Sequence, residues 1–232
     1  MAFASLVTGN FKGLLLFTLI VLVHELGHII AALYYKWKIE KILLLPFGAL
    51  TIFHEKLNRP IKEEFIILIS GPLVQIIFTF LLSLNYHNPD IQTYSNLILF
   101  FNLLPIYPLD GSKLVNLLLN KLTSFKKSHI LTIYISFLTI FLLFLNVQIS
   151  LVFLLIIIFI TIKVIDELKK HHALFNLFLF ERYNYNFHFS KHKTIKNVKQ
   201  MKRDYTHLFK IDNNYKTEKE VLSKRFDFKR KM

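Results

Sequence analysis

The sequence predicts an all-α polytopic membrane protein with about five transmembrane helices. Three observations favour this fold class. Of the 232 residues, 53% are hydrophobic and 24 are phenylalanine, which is more apolar than a soluble domain of this size usually is. Several apolar segments approach the roughly 20 residues that a helix needs to cross a bilayer. Lys and Arg are concentrated in alternate connecting segments.

The spans are predicted from five apolar segments, which are residues 13–35, 65–84, 94–106, 130–147 and 149–162. Most of them are near the length of a spanning helix, whereas the third is short when taken alone. The connecting segments then decide the orientation. Residues 36–62, residues 113–127 and the chain after Lys163 are basic, but residues 85–92 and 146–150 contain no Lys or Arg. The positive-inside rule therefore predicts a cytoplasmic C-terminus and an external N-terminus.

Residues 1–165 are accordingly predicted to form a transmembrane domain, and residues 166–232 a small basic cytoplasmic region. This region contributes most of the formal net charge of +14. A basic tail can bind nucleic acid, but each Lys or Arg near an anionic membrane surface also gains about 1 kcal/mol of attraction. We therefore favour the lipid bilayer over nucleic acid as its partner, and recruitment of a membrane-associated substrate stays open.

The first span contains His24-Glu25-Leu26-Gly27-His28 within its apolar stretch. Residues four apart share one face of a helix, so both imidazoles can bind a single ion. The chain has no Cys, so any metal ligands must come from His, Asp or Glu. An Asp inside a span costs about 2.5 to 3.5 kcal/mol on an insertion scale, so three ionisable residues in one turn indicate a function. The pattern predicts one catalytic Zn²⁺ ion.

The third span ends in residues 102–111, NLLPIYPLDG, whose two prolines must break the helix. His28 lies about 7 residues, roughly 10 Å, from the cytoplasmic end of its helix, and Asp110 is expected at a similar depth. Asp110 is therefore a candidate third ligand, although an Asp-Gly after proline is often only a turn. Glu55 is the alternative third ligand. A buried Asn102 alone bridges helices as readily as it contacts substrate.

Other polar residues have simpler interpretations. Ser70 and Gln75, inside the second span, are interpreted as packing or supporting residues. Histidines in loops or at interfaces are interpreted as solvated, and these are His54, His87, His129, His171 and His172.

Together, these motifs resemble a known family. His24–His28 in one span, Ser70-Gly71-Pro72-Leu73 at the next and residues 102–111 at a third are similar to the site-2 protease family of intramembrane zinc metalloproteases, peptidase family M50. The resemblance covers residues 14–183. Leu45-Pro46-Phe47-Gly48, followed by Asn58-Arg59-Pro60, resembles the stage IV sporulation protein FB branch. That branch processes a membrane-associated pro-sigma factor in the mother cell of endospore-forming bacteria.

The resemblance implies a role for each candidate site residue. His24, His28 and Asp110 would be the zinc ligands, and Glu25 the general base. Asn102 would hold substrate or stabilise the oxyanion. The resemblance also implies that residues 39–53, which include Gly48, form a re-entrant strand-like loop beside the active site. Such a loop can pair with an extended substrate.

The function implied is that of an intramembrane zinc endopeptidase cutting a membrane-associated or membrane-spanning protein near the cytoplasmic face. Its setting would be a bacterial cell membrane, the mother-cell membrane around the forespore, with membrane-embedded inhibitors as further partners. Full-length relatives have six spans, and many end in a nucleotide-sensing CBS domain, for which residues 183–232 are too few. The alternatives are a catalytically silent membrane scaffold that sequesters a partner, and a transporter. A silent relative should have lost Glu25 or a ligand, and a transporter should contain internal repeats.

Overall fold

A computed structural model of the chain describes residues 11–45, 48–53, 56–86, 88–147, 150–211 and 214–227. The elements in these ranges are α1 (Phe11–Tyr34), β1 (Ile39–Leu45), β2 (Gly48–Phe53), α2 (Ile61–Asn85), α3 (Pro89–Leu103), α4 (Asp110–Leu122), α5 (Phe125–Asn146), α6 (Leu151–Asn184), β3 (Lys191–Ile195), a 3-10 helix (Val198–Gln200), β4 (Tyr205–Ile211), β5 (Asn214–Thr217) and α7 (Glu218–Phe226). The chain divides into two compact units, residues 1–55 with 62–104, and residues 56–61 with 105–232.

Three of the described helices are long and apolar enough to cross a membrane, namely α1, α2 and α5, with 24, 25 and 22 residues. They correspond to the first, second and fourth predicted spans. The third predicted span is α3, which has only 15 residues and ends two residues before Pro105. The fifth overlaps the first part of α6, which begins at Leu151 and whose 34 residues continue to Asn184. Hydropathy alone predicted an end near residue 162, where charged residues begin, but the helix continues past them.

In the first unit, apolar side chains and one glycine fix the packing of the helices. Phe17, Ile20 and Val21 of α1 pack against Ile98 of α3. The contact between α1 and α2 is closer, because a Cβ added to Gly27 would lie 2.6 Å from the backbone oxygen of Ser70. Only glycine permits that approach. The backbone of α1 around its two histidines is therefore held directly against α2.

The strand-like loop predicted for residues 39–53 is a two-stranded antiparallel ribbon. β1 and β2 pair from Ile39 opposite Phe53 to Leu45 opposite Gly48, with an irregularity between Ile39 and Lys41. Gly48 is the first residue of β2 and pairs directly with the last residue of β1. The strand character of this loop is thus confirmed.

The second unit contains two elements that the sequence analysis did not predict. Residues 113–127, predicted as a basic loop, are largely helical, since α4 runs from Asp110 to Leu122. The chain after α6 forms a three-stranded sheet in the order β3-β4-β5, with β3 parallel and β5 antiparallel to β4. The all-α fold class is therefore corrected to a mostly helical fold with small sheets.

The C-terminal sheet packs on the end of α6 around a fully enclosed apolar core. Phe178, Leu179, Met201, Phe209 and Leu222 are each at most 1% exposed. Along β4, His207 and Phe209 are buried while Leu208 and Lys210 are exposed, which is the two-residue period of a half-buried strand. One face of β4 is therefore buried in this core, so the basic region forms a packed structure.

A buried polar cluster fastens the loop before α2 to α6 within the second unit. The Asn58 side-chain amide donates to Glu181 Oε2 at 2.9 Å and to the Phe178 carbonyl at 3.0 Å. Arg182 Nε donates to Asn58 Oδ1, and Arg182 Nη1 lies 3.5 Å from Glu218 Oε1. Burial lowers the pKa of Arg182 to about 10, so the guanidinium keeps its charge at neutral pH. We call Asn58, Glu181, Arg182 and Glu218 the arginine cluster.

Candidate metal centre

The two histidines of the first span lie side by side on the buried face of α1. His24 and His28 are 1% and 4% exposed, although imidazoles are seldom placed among Leu and Ile. Their spacing of one helical turn brings His24 Nε2 within 3.1 Å of His28 Nε2. The two residues therefore lie on one face of the helix, as their spacing predicts.

Each of the two imidazoles is fixed through its other ring nitrogen. His28 Nδ1 lies 2.7 Å from the backbone oxygen of Ile67, which can only accept a hydrogen bond. His24 Nδ1 lies 2.7 Å from Gln75 Oε1, also an acceptor. Both Nδ1 atoms therefore carry the proton in the neutral rings, and both Nε2 atoms present lone pairs.

In this tautomer both Nε2 atoms, 3.1 Å apart, are acceptors, so a single cation beside them can bind to both. A neutral imidazole nitrogen is also the form of histidine that binds zinc, with the opposite N–H commonly donated to a carbonyl. The hydrogen-bond geometry of His24 and His28 is therefore compatible with the binding of a divalent metal ion.

A glycine on α2 provides the space for one of these rings. A Cβ added at Gly71 would overlap His28 Nε2 and lie 2.5 Å from His28 Cε1. Both contacts are far inside van der Waals distance, so any larger residue would displace the imidazole. Gly71 belongs to the Ser70–Leu73 motif. The space that His28 needs explains why this position of the motif is a glycine.

Three further predicted site residues lie in the same unit. Glu25, 6% exposed, directly follows His24 on α1. Asn102, near the end of α3, places its amide nitrogen 3.5 Å from His24 Nε2. That distance is too long for a strong hydrogen bond, but it puts the Asn102 amide beside the face of His24 that would meet a metal. Gly48 is part of the ribbon described above.

Asp110 belongs to the second unit, where it is the first residue of α4 and 8% exposed. A carboxylate is favoured at the N-terminus of a helix because the backbone N–H groups there point towards it. Lys113 Nζ lies 3.4 Å from Asp110 Oδ1. The alternative third ligand, Glu55, and the histidines His54 and His87 lie outside the described residues.

The structure narrows one interpretation of a polar residue and changes another. Gln75 was interpreted as a packing or supporting residue, and its contact with His24 Nδ1 makes it a supporting one. His129 was interpreted as solvated, but its side chain is only 16% exposed and its Nε2 lies 3.4 Å from Glu167 Oε1. A polar residue in the middle of an apolar helix was the signal available for Gln75.

Comparisons with known proteins agree with the fold. The family model of peptidase family M50 matches residues 12–87. The solved site-2 protease from Methanocaldococcus jannaschii is similar with a TM-score of 0.53 and 32% identity, over 66% of this chain and 76% of that chain. The chain therefore belongs to the site-2 protease family of membrane metalloproteases, peptidase family M50.

Two curated relatives narrow the similarity within that family. Stage IV sporulation protein FB of Bacillus subtilis is 40% identical over 193 residues, which are 77% of this chain and 66% of that protein. A zinc metalloprotease of Methanocaldococcus jannaschii is 39% identical over 126 residues, which are 50% of this chain and 36% of that protein. The chain thus spans just under two thirds of the first relative and about a third of the second.

Proposed function

We propose that this chain is an intramembrane zinc endopeptidase that cuts a membrane-associated or membrane-spanning protein near the cytoplasmic face. The observation that carries the proposal is the pair of buried imidazoles on α1, whose Nε2 atoms lie 3.1 Å apart. Their Nδ1 atoms are both committed to carbonyl oxygens. Metal-binding histidines commonly have this arrangement, with one ring N–H donated to a carbonyl oxygen and the other nitrogen available to the ion.

The proposed zinc ligands are His24, His28 and Asp110. All three are buried, and together they offer two imidazoles and one carboxylate. Catalytic zinc sites commonly have three protein ligands of these types, with a further position open to water or substrate. The absence of Cys from the sequence is consistent with this donor set.

Zinc bound there would polarise the scissile carbonyl and lower the pKa of water to about 7. Glu25 is proposed as the general base, because its carboxylate adjoins His24 without being needed as a ligand. Its carboxylate oxygen would take the proton from the attacking water and deliver it to the nitrogen of the leaving amine. The Asn102 amide, beside His24, would donate to the carbonyl oxygen of the substrate as negative charge develops there.

A pro-sigma factor is the proposed substrate, by resemblance to the sporulation relative. The β1–β2 ribbon supports an extended binding mode, since a strand edge can pair with a substrate that has left its helix. Gly48, at the turn end of β2, is proposed to line that substrate path. The basic C-terminal region is proposed to lie on the cytoplasmic side, against the anionic lipid surface.

The test is to co-express the chain with candidate membrane-associated substrates, with and without Glu25→Gln. We expect cleavage to fall to background while zinc stays bound, because the amide cannot accept a proton but leaves the ligands in place. Asp90→Asn is the matched control, since it makes the same chemical change at an exposed position of α3. Cleavage by Glu25→Gln near the wild-type rate would remove the proposed base. A wild-type chain that binds substrate without cutting it would favour the silent scaffold.

A further inference from the structure

We propose that Gln75 is a positioning residue that selects the metal-binding tautomer of His24, a proposal that rests on the metal site proposed above. Gln75 lies on α2 and is 0% exposed. Its Oε1 atom is 2.7 Å from His24 Nδ1. The nitrogen of the same amide is bound to α3.

The orientation of the Gln75 amide is dictated by a backbone carbonyl. The amide Nε2 donates to the Ser95 carbonyl oxygen at 3.0 Å and to Ser95 Oγ at 3.1 Å. A carbonyl oxygen cannot donate, so the NH₂ group must face Ser95 and the amide oxygen must face His24. If the amide were flipped, Gln75 Oε1 would face the Ser95 carbonyl oxygen, and two acceptors would be in contact.

A third residue closes this network. Thr79 Oγ1 lies 3.2 Å from Ser95 Oγ and 3.0 Å from the Gln75 backbone oxygen. Thr79 and Ser95 are 2% and 1% exposed, so water does not readily replace any of these bonds. Since buried polar groups must satisfy one another, the Ser95 carbonyl fixes the amide, and the amide fixes the proton of His24 on Nδ1.

The consequence concerns the atom that would bind the metal. With the proton on Nδ1, the lone pair of His24 is on Nε2, the atom 3.1 Å from His28 Nε2. With the proton on Nε2, His24 would direct an N–H at the same place and could not be a ligand there. His28 obtains the same tautomer from the Ile67 backbone, which no side-chain substitution removes. Of these two histidines, His24 is therefore the one whose tautomer depends on a side chain that can be substituted.

The test uses the purified full chain in detergent, with zinc as the probe. Gln75→Met keeps an unbranched side chain of similar length, but its thioether is only a weak acceptor for the His24 N–H. We expect it to weaken zinc affinity about 10- to 100-fold in chelator competition. Thr79→Val is the matched control, because it removes the contacts of the Thr79 hydroxyl with Ser95 Oγ and the Gln75 backbone oxygen and leaves the three contacts of the Gln75 amide. Its zinc affinity is expected to stay close to that of the wild type.

A second readout detects the tautomer itself. Histidine ¹⁵N spectra of the metal-free chain, with the His24 signal assigned by its loss in His24→Ala, should report a proton on Nδ1 in the wild type and on Nε2 in Gln75→Met. A purely structural role for Gln75 would not move that proton. Wild-type His24 protonated on Nε2, or Gln75→Met binding zinc as tightly as the wild type, would overturn the proposal. If wild-type zinc binding itself did not require His28, the proposed metal site would be at fault instead.

Discussion

Two buried polar clusters differ in how their donors and acceptors are arranged. In the arginine cluster, the side-chain contacts of Asn58 and Arg182 each join a donor to an acceptor. Arg182 donates to Asn58, to the Tyr205 carbonyl at 2.8 Å and to the Lys202 carbonyl at 3.0 Å. In the first unit, Gln75 and Ile67 instead leave two like acceptors, His24 Nε2 and His28 Nε2, directed at one place.

The difference separates polar groups that stabilise a fold from those that prepare a reaction. A buried cluster that satisfies itself orders the surrounding chain, and removing one member is costly because its partner stays buried. A cluster that directs two acceptor atoms at one place is suited to bind a cation there. On this criterion the arginine cluster is structural, and the histidine pair is the proposed ligand site. Substitutions in the two clusters should therefore have separable effects.

Among the substitutions that compare the two clusters, the largest effect on chemistry is expected from Gly71→Ala. The added methyl group would overlap the His28 ring, with His28 Cε1 only 2.5 Å away, so the imidazole must move. A displacement of about 1 Å at a catalytic site can cost on the order of 100-fold in rate, and we expect zinc content to fall as well. Metal analysis and a cleavage assay check this. Leu73→Ala, at an exposed position of α2, is the control, and equal losses in both variants would contradict the steric argument.

A smaller effect on metal binding is expected from Asp110→Asn. The amide loses the negative charge that favours the third ligand bond, so zinc should dissociate at lower chelator concentrations, by about tenfold or more. Asn102→Ala is the companion variant, since it should spare the metal and lower turnover. Full zinc occupancy in Asp110→Ala would assign the third ligand to another residue, with Glu55 tested next.

The smallest effect on chemistry, with a clear effect on stability, is expected from Asn58→Ala. Asn58 is 1% exposed, and its loss leaves Glu181 and Arg182 each without one hydrogen bond. The free energy of unfolding should fall by about 1 to 3 kcal/mol, measured by denaturant titration. The control is Asn176→Ala, which removes an exposed bond to Arg225. Zinc lost from folded Asn58→Ala in proportion to its lost stability would contradict the separation of the two clusters.

The sequence was informative where the signal was local. Residues four apart on one helix must share a face, so the pairing of His24 with His28 followed from spacing. Gln75 is 51 residues from His24, and an isolated amide in an apolar helix does not indicate which group it meets. The sheet after α6 was missed for a different reason. The high charge of residues 166–232 obscured the alternation in Tyr205–Ile211 that buries His207 and Phe209.

The measurement that tests the central claim most directly is zinc X-ray absorption on the purified Glu25→Gln chain and on the same chain with His28→Ala. Glu25→Gln should hold one zinc with two imidazole nitrogens at about 2.0 to 2.1 Å and a carboxylate oxygen at about 2.0 to 2.2 Å. The His28→Ala change should remove one imidazole from the spectrum or release the ion. Zinc absent from the first protein, or an unchanged number of imidazoles in the second, would contradict the assignment of the α1 histidines as the metal ligands.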